Sequence, residues 1–199
     1  MQPGESEVAE PMRADAMCAF PAARLAWLLV LAASAANAQR SQAPKGWQEF
    51  VSPDGGYVAF YPKSWHVLQP GFPMLYICNF PPSRRVRAVI VPENGATIGV
   101  ISPPEGVSSI DQWIGRVSPA IRVRSRNSIT LRMPEPAAPL RIEEVNYLSI
   151  EGPDCTSWYF EISGRLLKAD LSYWSGDPKA EKYRQVLGEI IQTITPLAR

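Results

Sequence analysis

The chain has 199 residues, 46% of them hydrophobic and 20% charged, with a formal net charge of +1. That length supports one domain with a sizeable core, and those fractions are ordinary for a globular protein. So small a charge gives no electrostatic case for nucleic acid, and outside the N-terminus no apolar run is long enough to cross a bilayer as a helix.

The chain opens on a targeting segment. Leu25 to Ala36 is apolar but only about a dozen residues long, too short to span a bilayer comfortably. Arg24 precedes it, and Ala36-Asn37-Ala38 supplies small residues at the positions a signal peptidase reads, so residues 1–38 are expected to be a secretory signal peptide cleaved between Ala38 and Gln39. The plainer alternative is an uncleaved membrane anchor. Met1 to Ala16 is acidic and proline-containing, which makes Met12 or Met17 a candidate start; Cys18 precedes the apolar run, against a lipoprotein anchor. Residues 1–38 hold two of the 20 basic and four of the 19 acidic side chains, so the mature chain carries a net +3. Residues 39–46 are polar with a proline and read as a flexible linker.

Trp47 to Val51 is expected as a lead-in strand. Pro53-Asp54-Gly55-Gly56 turns the chain into Tyr57-Val58-Ala59-Phe60-Tyr61, which stops at Pro62 because proline cannot donate to a ladder. Trp65 then folds back over the strand's buried face, giving a structural corner of Tyr61, Pro62 and Trp65. His66 to Leu68 continues extended, Gly71-Phe72-Pro73 turns, and Met74 to Cys78 is apolar enough to be buried on both faces. Val86 to Val91 and Ala96 to Ile101 read as strands joined at Asn94-Gly95. Ser108 or Ser109 caps a short helix, Ile110 to Val117, which Pro119 ends. Ile121 to Arg126 alternates strictly. After a Pro/Ala loop, Leu140 to Ile150, Cys155 to Ile162 and Leu166 to Trp174 form a meander. Asp177 and Pro178 open the clearest helix. Its stripe, Tyr183, Val186, Leu187, Ile190, Ile191 and Ile194, must be buried, and Pro196 stops it. The sum is one α+β domain over 47–199: a mostly antiparallel sheet of six or more strands, one short internal helix, and a C-terminal helix packed on one face.

That order resembles the PsbP-like family, named for an extrinsic subunit of photosystem II, whose fold a Ran-binding nuclear import factor shares. The residues that carry the resemblance are Gly56-Tyr57, Phe60-Tyr61-Pro62 and Trp65, the meander, and the closing helix from Tyr183 to Ile194. It implies an antiparallel sheet between helices and a non-enzymatic role in binding or assembly. It brings no shared catalytic motif and no cofactor, and the His and acidic metal positions of some members have no match here.

The residues offer few alternatives. His66 is the single histidine, too little for a His-rich metal site, and is one candidate general base. No Gly-x-Ser-x-Gly elbow nominates a nucleophile for it. Cys78 and Cys155 remain after cleavage. In an exported protein such a pair is a disulfide candidate, though two buried thiols that never meet fit as well. Glu143 and Glu144 point to opposite faces of a strand and cannot act as a dyad. Arg122, Arg124 and Arg126 share one strand face, and Arg84, Arg85 and Arg87 decorate a loop and strand start. If these faces adjoin they grip carboxylates, phosphates or anionic lipid heads; the plainer reading, which is favoured, is a solvated face that discourages edge pairing. Of Trp158-Tyr159-Phe160, at least one ring points away from the others. The expected function is an exported non-enzymatic binding or assembly domain acting through protein or small-ligand contacts, its partner a protein or anionic ligand in the cell envelope, without metal or cofactor. An envelope hydrolase or isomerase using His66 is the alternative.

Overall fold

The computed structural model describes residues 43–53, 56–68, 74–82, 91–117, 122–148 and 153–197, all within the second of the two units into which the chain divides, Gln42–Arg199. The expected signal peptide, the turn at 71–73, the strand at 86–90, and Arg84, Arg85 and Arg87 lie outside the described residues. Among the described residues there are ten strands and two helices: β1 (Trp47–Val51), β2 (Tyr57–Pro62), β3 (His66–Val67), β4 (Leu75–Cys78), β5 (Ala96–Ile101), α1 (Ile110–Val117), β6 (Arg122–Leu131), β7 (Leu140–Leu148), β8 (Asp154–Ile162), β9 (Arg165–Tyr173), α2 (Ala180–Gln192) and β10 (Thr195–Pro196). Neither helix is long and apolar enough to cross a membrane.

The strands form two antiparallel sheets. Seven make the larger one, in the order β3-β4-β5-β9-β8-β7-β6, and three make the smaller, β1-β2-β10. The expected α+β class and meander are therefore present. The β8–β9 hairpin closes on Ser163 and Gly164, both at positive φ (51° and 73°), the two-residue geometry that matches strand twist.

Alternation along the meander sorts its side chains onto two faces. Ile142, Trp158, Phe160, Leu167, Ala169 and Leu171 turn to the inner face, where α2 lays Tyr183, Leu187, Ile190 and Ile191, and where β2 adds Tyr57, Ala59 and Tyr61. Trp65 is buried in this same core. Tyr159 and Val145 turn to the outer face, where α1 covers them with Trp113 and Ile114. The Trp113 and Tyr159 rings meet edge to face, their centroids 5.6 Å apart. Both faces of the large sheet are thus roofed by helix, one by each.

Three boundaries differ from the sequence reading, each for a local reason. The α2 cap is Lys179, without a side-chain cap bond. Asp177 closes the preceding turn instead, its Oδ1 accepting the Lys179 N–H at 2.8 Å. Pro196 does not merely end the chain's last element: Thr195 and Pro196 pair with Val58 and Tyr57 as β10. Finally, β6 runs on through Asn127 to Leu131. For α1, Ser109 is the cap: its Oγ accepts the Gln112 N–H at 3.2 Å, while Gln112 Oε1 accepts the Ser108 N–H at 3.0 Å.

Candidate functional site

The register decides the fate of the two cysteines. Cys78 pairs with Thr97, Thr97 with Ser172, and Ser172 with Cys155. The thiols therefore share a row across the large sheet with β5 and β9 between them. Three strand steps amount to about 14 Å, against a Cα limit of about 7 Å for a bridge. The disulfide candidate is corrected: both cysteines are buried and free. Burial pushes both thiols up from their ordinary range, which holds them protonated and poorly nucleophilic. Cys78 Sγ donates to the Phe80 carbonyl, and Cys155 Sγ lies 3.2 Å from Ser172 Oγ.

His66 is exposed on the two-residue edge strand β3, directly opposite Cys78. A histidine beside a cysteine invites a catalytic reading, but this thiol is turned into the fold and is bonded to a carbonyl. Among the described residues no three His, Cys, Asp or Glu side chains gather as a metal site would need.

The arginine face is divided. Ser125 pairs with Asn146 and Val123 with Tyr147, so two β6 steps oppose one β7 step and Arg124 is the bulge. Arg122 stands opposite Leu148 and Arg126 opposite Val145. Those partners are an odd number of residues apart, so the two arginines take opposite faces. That corrects the strict alternation read from the sequence. Arg124 reaches Asp154 at 2.7 Å, and Arg126 reaches Asp111 at 2.7 Å and Glu143 at 3.3 Å. Glu143 is held below its ordinary range, first by the Ser128 hydroxyl and then by Arg126. Two of the three guanidinium charges are thereby matched within the fold. Since β6 is the last strand of the sheet among the described residues, arginines and a bulge here act first as guards of an exposed edge.

A concavity with an apolar floor lies on the inner face, between α2 and β6. It encloses about 530 Å³. Ile129 and Leu131 of β6, Trp158 of β8 and Gly188 of α2 make the floor, while Glu181, Gln185, Glu189 and Gln192 make a polar rim along α2. The groove exists because α2 covers β9 and β8 and stops short of the edge strand, leaving Ile129 and Leu131 half-buried. One end is closed by Glu144, which is 6% exposed. Its carboxylate accepts from Trp158 Nε1 at 2.7 Å, from Asn146 Nδ2 at 3.1 Å, and from Arg184. A charge so far from water persists only when paired and hydrogen-bonded, so this network fixes the groove's shape. At the other end Gln192 Nε2 donates to the Arg132 carbonyl at 2.7 Å.

Sequence reasoning singled out neither Arg184 nor Gly188. Both fall off the apolar stripe of α2, and Gly188 sits between two of its members; a glycine inside so regular a helix was the available signal. Ile129 and Leu131 lie beyond the strand read from the sequence, and their place on the inner face comes from their register opposite Ile142 and Leu140.

The described fold is an α+β domain with an antiparallel sheet between two helices. No known family model matches the chain and no curated protein does. Solved structures it is similar to include a chain from Bacteroides thetaiotaomicron VPI-5482 (TM-score 0.45, 11% identity), of which it spans 50% while 77% of this chain is covered. Another is cyanobacterial PsbP (CyanoP) from Synechocystis sp. PCC 6803 (TM-score 0.40, 10% identity, 77% of this chain and 94% of that one). A third is PA94 from Pseudomonas aeruginosa, a protein of unknown function (TM-score 0.40, 11% identity, 77% and 99%). The resemblance read from the opening strand and closing helix thus has a PsbP among the structures this chain is similar to. No residue role, ligand or partner passes from these structures to this chain.

Proposed function

We propose that this chain is an exported, non-enzymatic binding domain of PsbP-like type that holds a protein partner in the groove between α2 and β6. The observation that carries the reading is the groove itself: apolar side chains left half-covered beside a polar rim, with one wall locked by the Glu144–Arg184–Trp158 network. Support also comes from the groups that could otherwise do chemistry. The thiols are buried and protonated, His66 is exposed on the short edge strand β3, and Glu143 is bonded to Ser128, Arg126 and Arg141. Export rests on the apolar run and the small-residue cleavage site of residues 1–38. The matched charges of Arg124 and Arg126 speak for a protein partner over an anionic surface.

A photo-crosslinking residue tests the reading. Placed at Gln185 on the groove rim, it is expected to trap a partner in intact cell envelopes; placed at Glu105, in the exposed loop before α1, it is not. Equal labelling from both sites, or none from Gln185, refutes the groove.

A further inference from the structure

Edge strand β6 has two unlike halves. The first carries three arginines and the bulge at Arg124, devices that keep an exposed edge from recruiting another chain. The second, Asn127 to Leu131, has no charge, no proline and no bulge, and keeps regular register from Ser125 opposite Asn146 to Leu131 opposite Leu140. Asn127, Ser128 and Thr130 are exposed. Among the described residues β6 pairs on one side only, so every second residue of this half turns its N–H and C=O outward.

The unguarded half coincides with the groove. Ile129 and Leu131 project onto the inner face and form its floor. Along the rim, Arg184 is committed to Glu144, whereas none of the described ion pairs involves Glu181 or Glu189. The rim therefore favours a cation.

We propose that Asn127–Leu131 is a strand-addition site for an extended, basic peptide segment of the partner. The segment pairs its backbone with the open edge, sets every second, apolar side chain beside Ile129 and Leu131, and points a lysine or arginine at Glu181 and Glu189. Backbone pairing supplies affinity, and the alternate side chains supply selectivity. A helix or a small apolar molecule fills the groove but leaves the edge bonded to water; an extended segment satisfies both. The acidic rim disfavours an anionic one. This inference rests on the groove reading above.

Fluorescence anisotropy on the full chain tests it, with a labelled nine-residue peptide of alternating valine and threonine and a lysine at each end. Two further versions are N-methylated at alternate backbone amides, one in each phase. One phase faces the edge and is expected to weaken binding at least about tenfold, while the other leaves it unchanged. A glutamate-ended version binds about fivefold more weakly, a gap that closes with added salt. The double variant Glu181→Lys/Glu189→Lys, at one exposed and one half-buried rim position, reverses that preference, and Ile129→Lys weakens every peptide. If both methylated phases bind like the parent while Ile129→Lys still weakens them, strand addition is overturned and the groove stands. If Ile129→Lys and the rim variant change nothing, both fail. No measurable binding of the parent peptide overturns strand addition, and the Gln185 crosslink then decides the groove separately.

Discussion

Tyr57 is the place to test how the two sheets are joined. It is fully buried at the start of β2, and its hydroxyl donates to the Val100 carbonyl at 2.8 Å while accepting the Leu75 N–H at 3.1 Å. Leu75 and Val100 face each other across β4 and β5, both fully buried. One oxygen of the small sheet thus completes a rung of the large one. Tyr57→Phe keeps the ring and its packing but leaves an amide and a carbonyl without this partner. An orphaned buried group costs about 1–3 kcal/mol, amides more than carbonyls, so the substitution is expected to cost about 2–3 kcal/mol. The control is Tyr61→Phe, on the same strand and face, whose hydroxyl bonds the half-buried Gln48 side chain; it is expected to cost about 1 kcal/mol or less. Urea denaturation followed by tryptophan fluorescence reads both, with the midpoint falling and the slope unchanged. A Tyr57→Phe loss below about 0.5 kcal/mol, or one no larger than that of Tyr61→Phe, refutes the claim that this hydroxyl ties the sheets.

Arg184→Met strands the buried Glu144 carboxylate and is expected to cost about 3 kcal/mol, whereas Glu144→Gln, which leaves a partly exposed guanidinium, costs about 1 kcal/mol; equal costs in urea titrations contradict the asymmetry. Both thiols are expected to resist iodoacetamide in the native state and to react once unfolded, and oxidising conditions leave the urea midpoint where it was; a shift on oxidation contradicts the register. Burial raises Cys78, Cys155 and Tyr147, and lifts Tyr159 to about 12. A raised folded value means stability is intact below the ordinary values of 9.0 and 10.0 and drains as pH rises past them, because the unfolded chain ionises first. Urea midpoints are therefore expected to fall from about pH 9 upward, and a flat profile to pH 10.5 would argue against the buried row.

Where a single physical rule governs a segment, the sequence was readable. Apolar runs bounded by turn residues placed β7, β8 and β9, and period-three-and-four spacing placed α2, because a helix that buries one stripe admits one facing. What stayed hidden depends on neighbours distant in the chain. Nothing in Ile121 to Arg126 announces a bulge, since a bulge is a mismatch with β7 and not a property of β6. The cysteines look like a pair until two strands are found between them. The meander could not say which of its edges would be left open, nor that Asn127 to Leu131, a polar-looking tail, would lie on one. That Glu143 and Glu144 take opposite faces follows from the strand alone, but only the arrival of Arg184 from α2 explains how Glu144 can be buried.

Gly188 brings the fold and the groove into one experiment. It lies inside α2, where glycine costs about 0.5–1 kcal/mol relative to alanine. Neither backbone nor packing requires it. A Cβ built there meets Leu131 Cδ1 at 3.5 Å and Trp158 Cζ3 at 3.9 Å, ordinary contact distances. Both of those atoms belong to the groove floor. Gly188→Ala is therefore expected to raise stability by about 0.5–1 kcal/mol, as a helix-compatible substitution does, while the new methyl fills the space between Leu131 and Trp158. Peptide affinity should fall at the same time, by about threefold to tenfold for a site made one methyl shallower. Opposite signs in the urea midpoint and in the anisotropy titration are what a glycine kept for an occupied floor produces. If alanine stabilises the chain and leaves binding untouched, the floor at Gly188 is not where a partner sits.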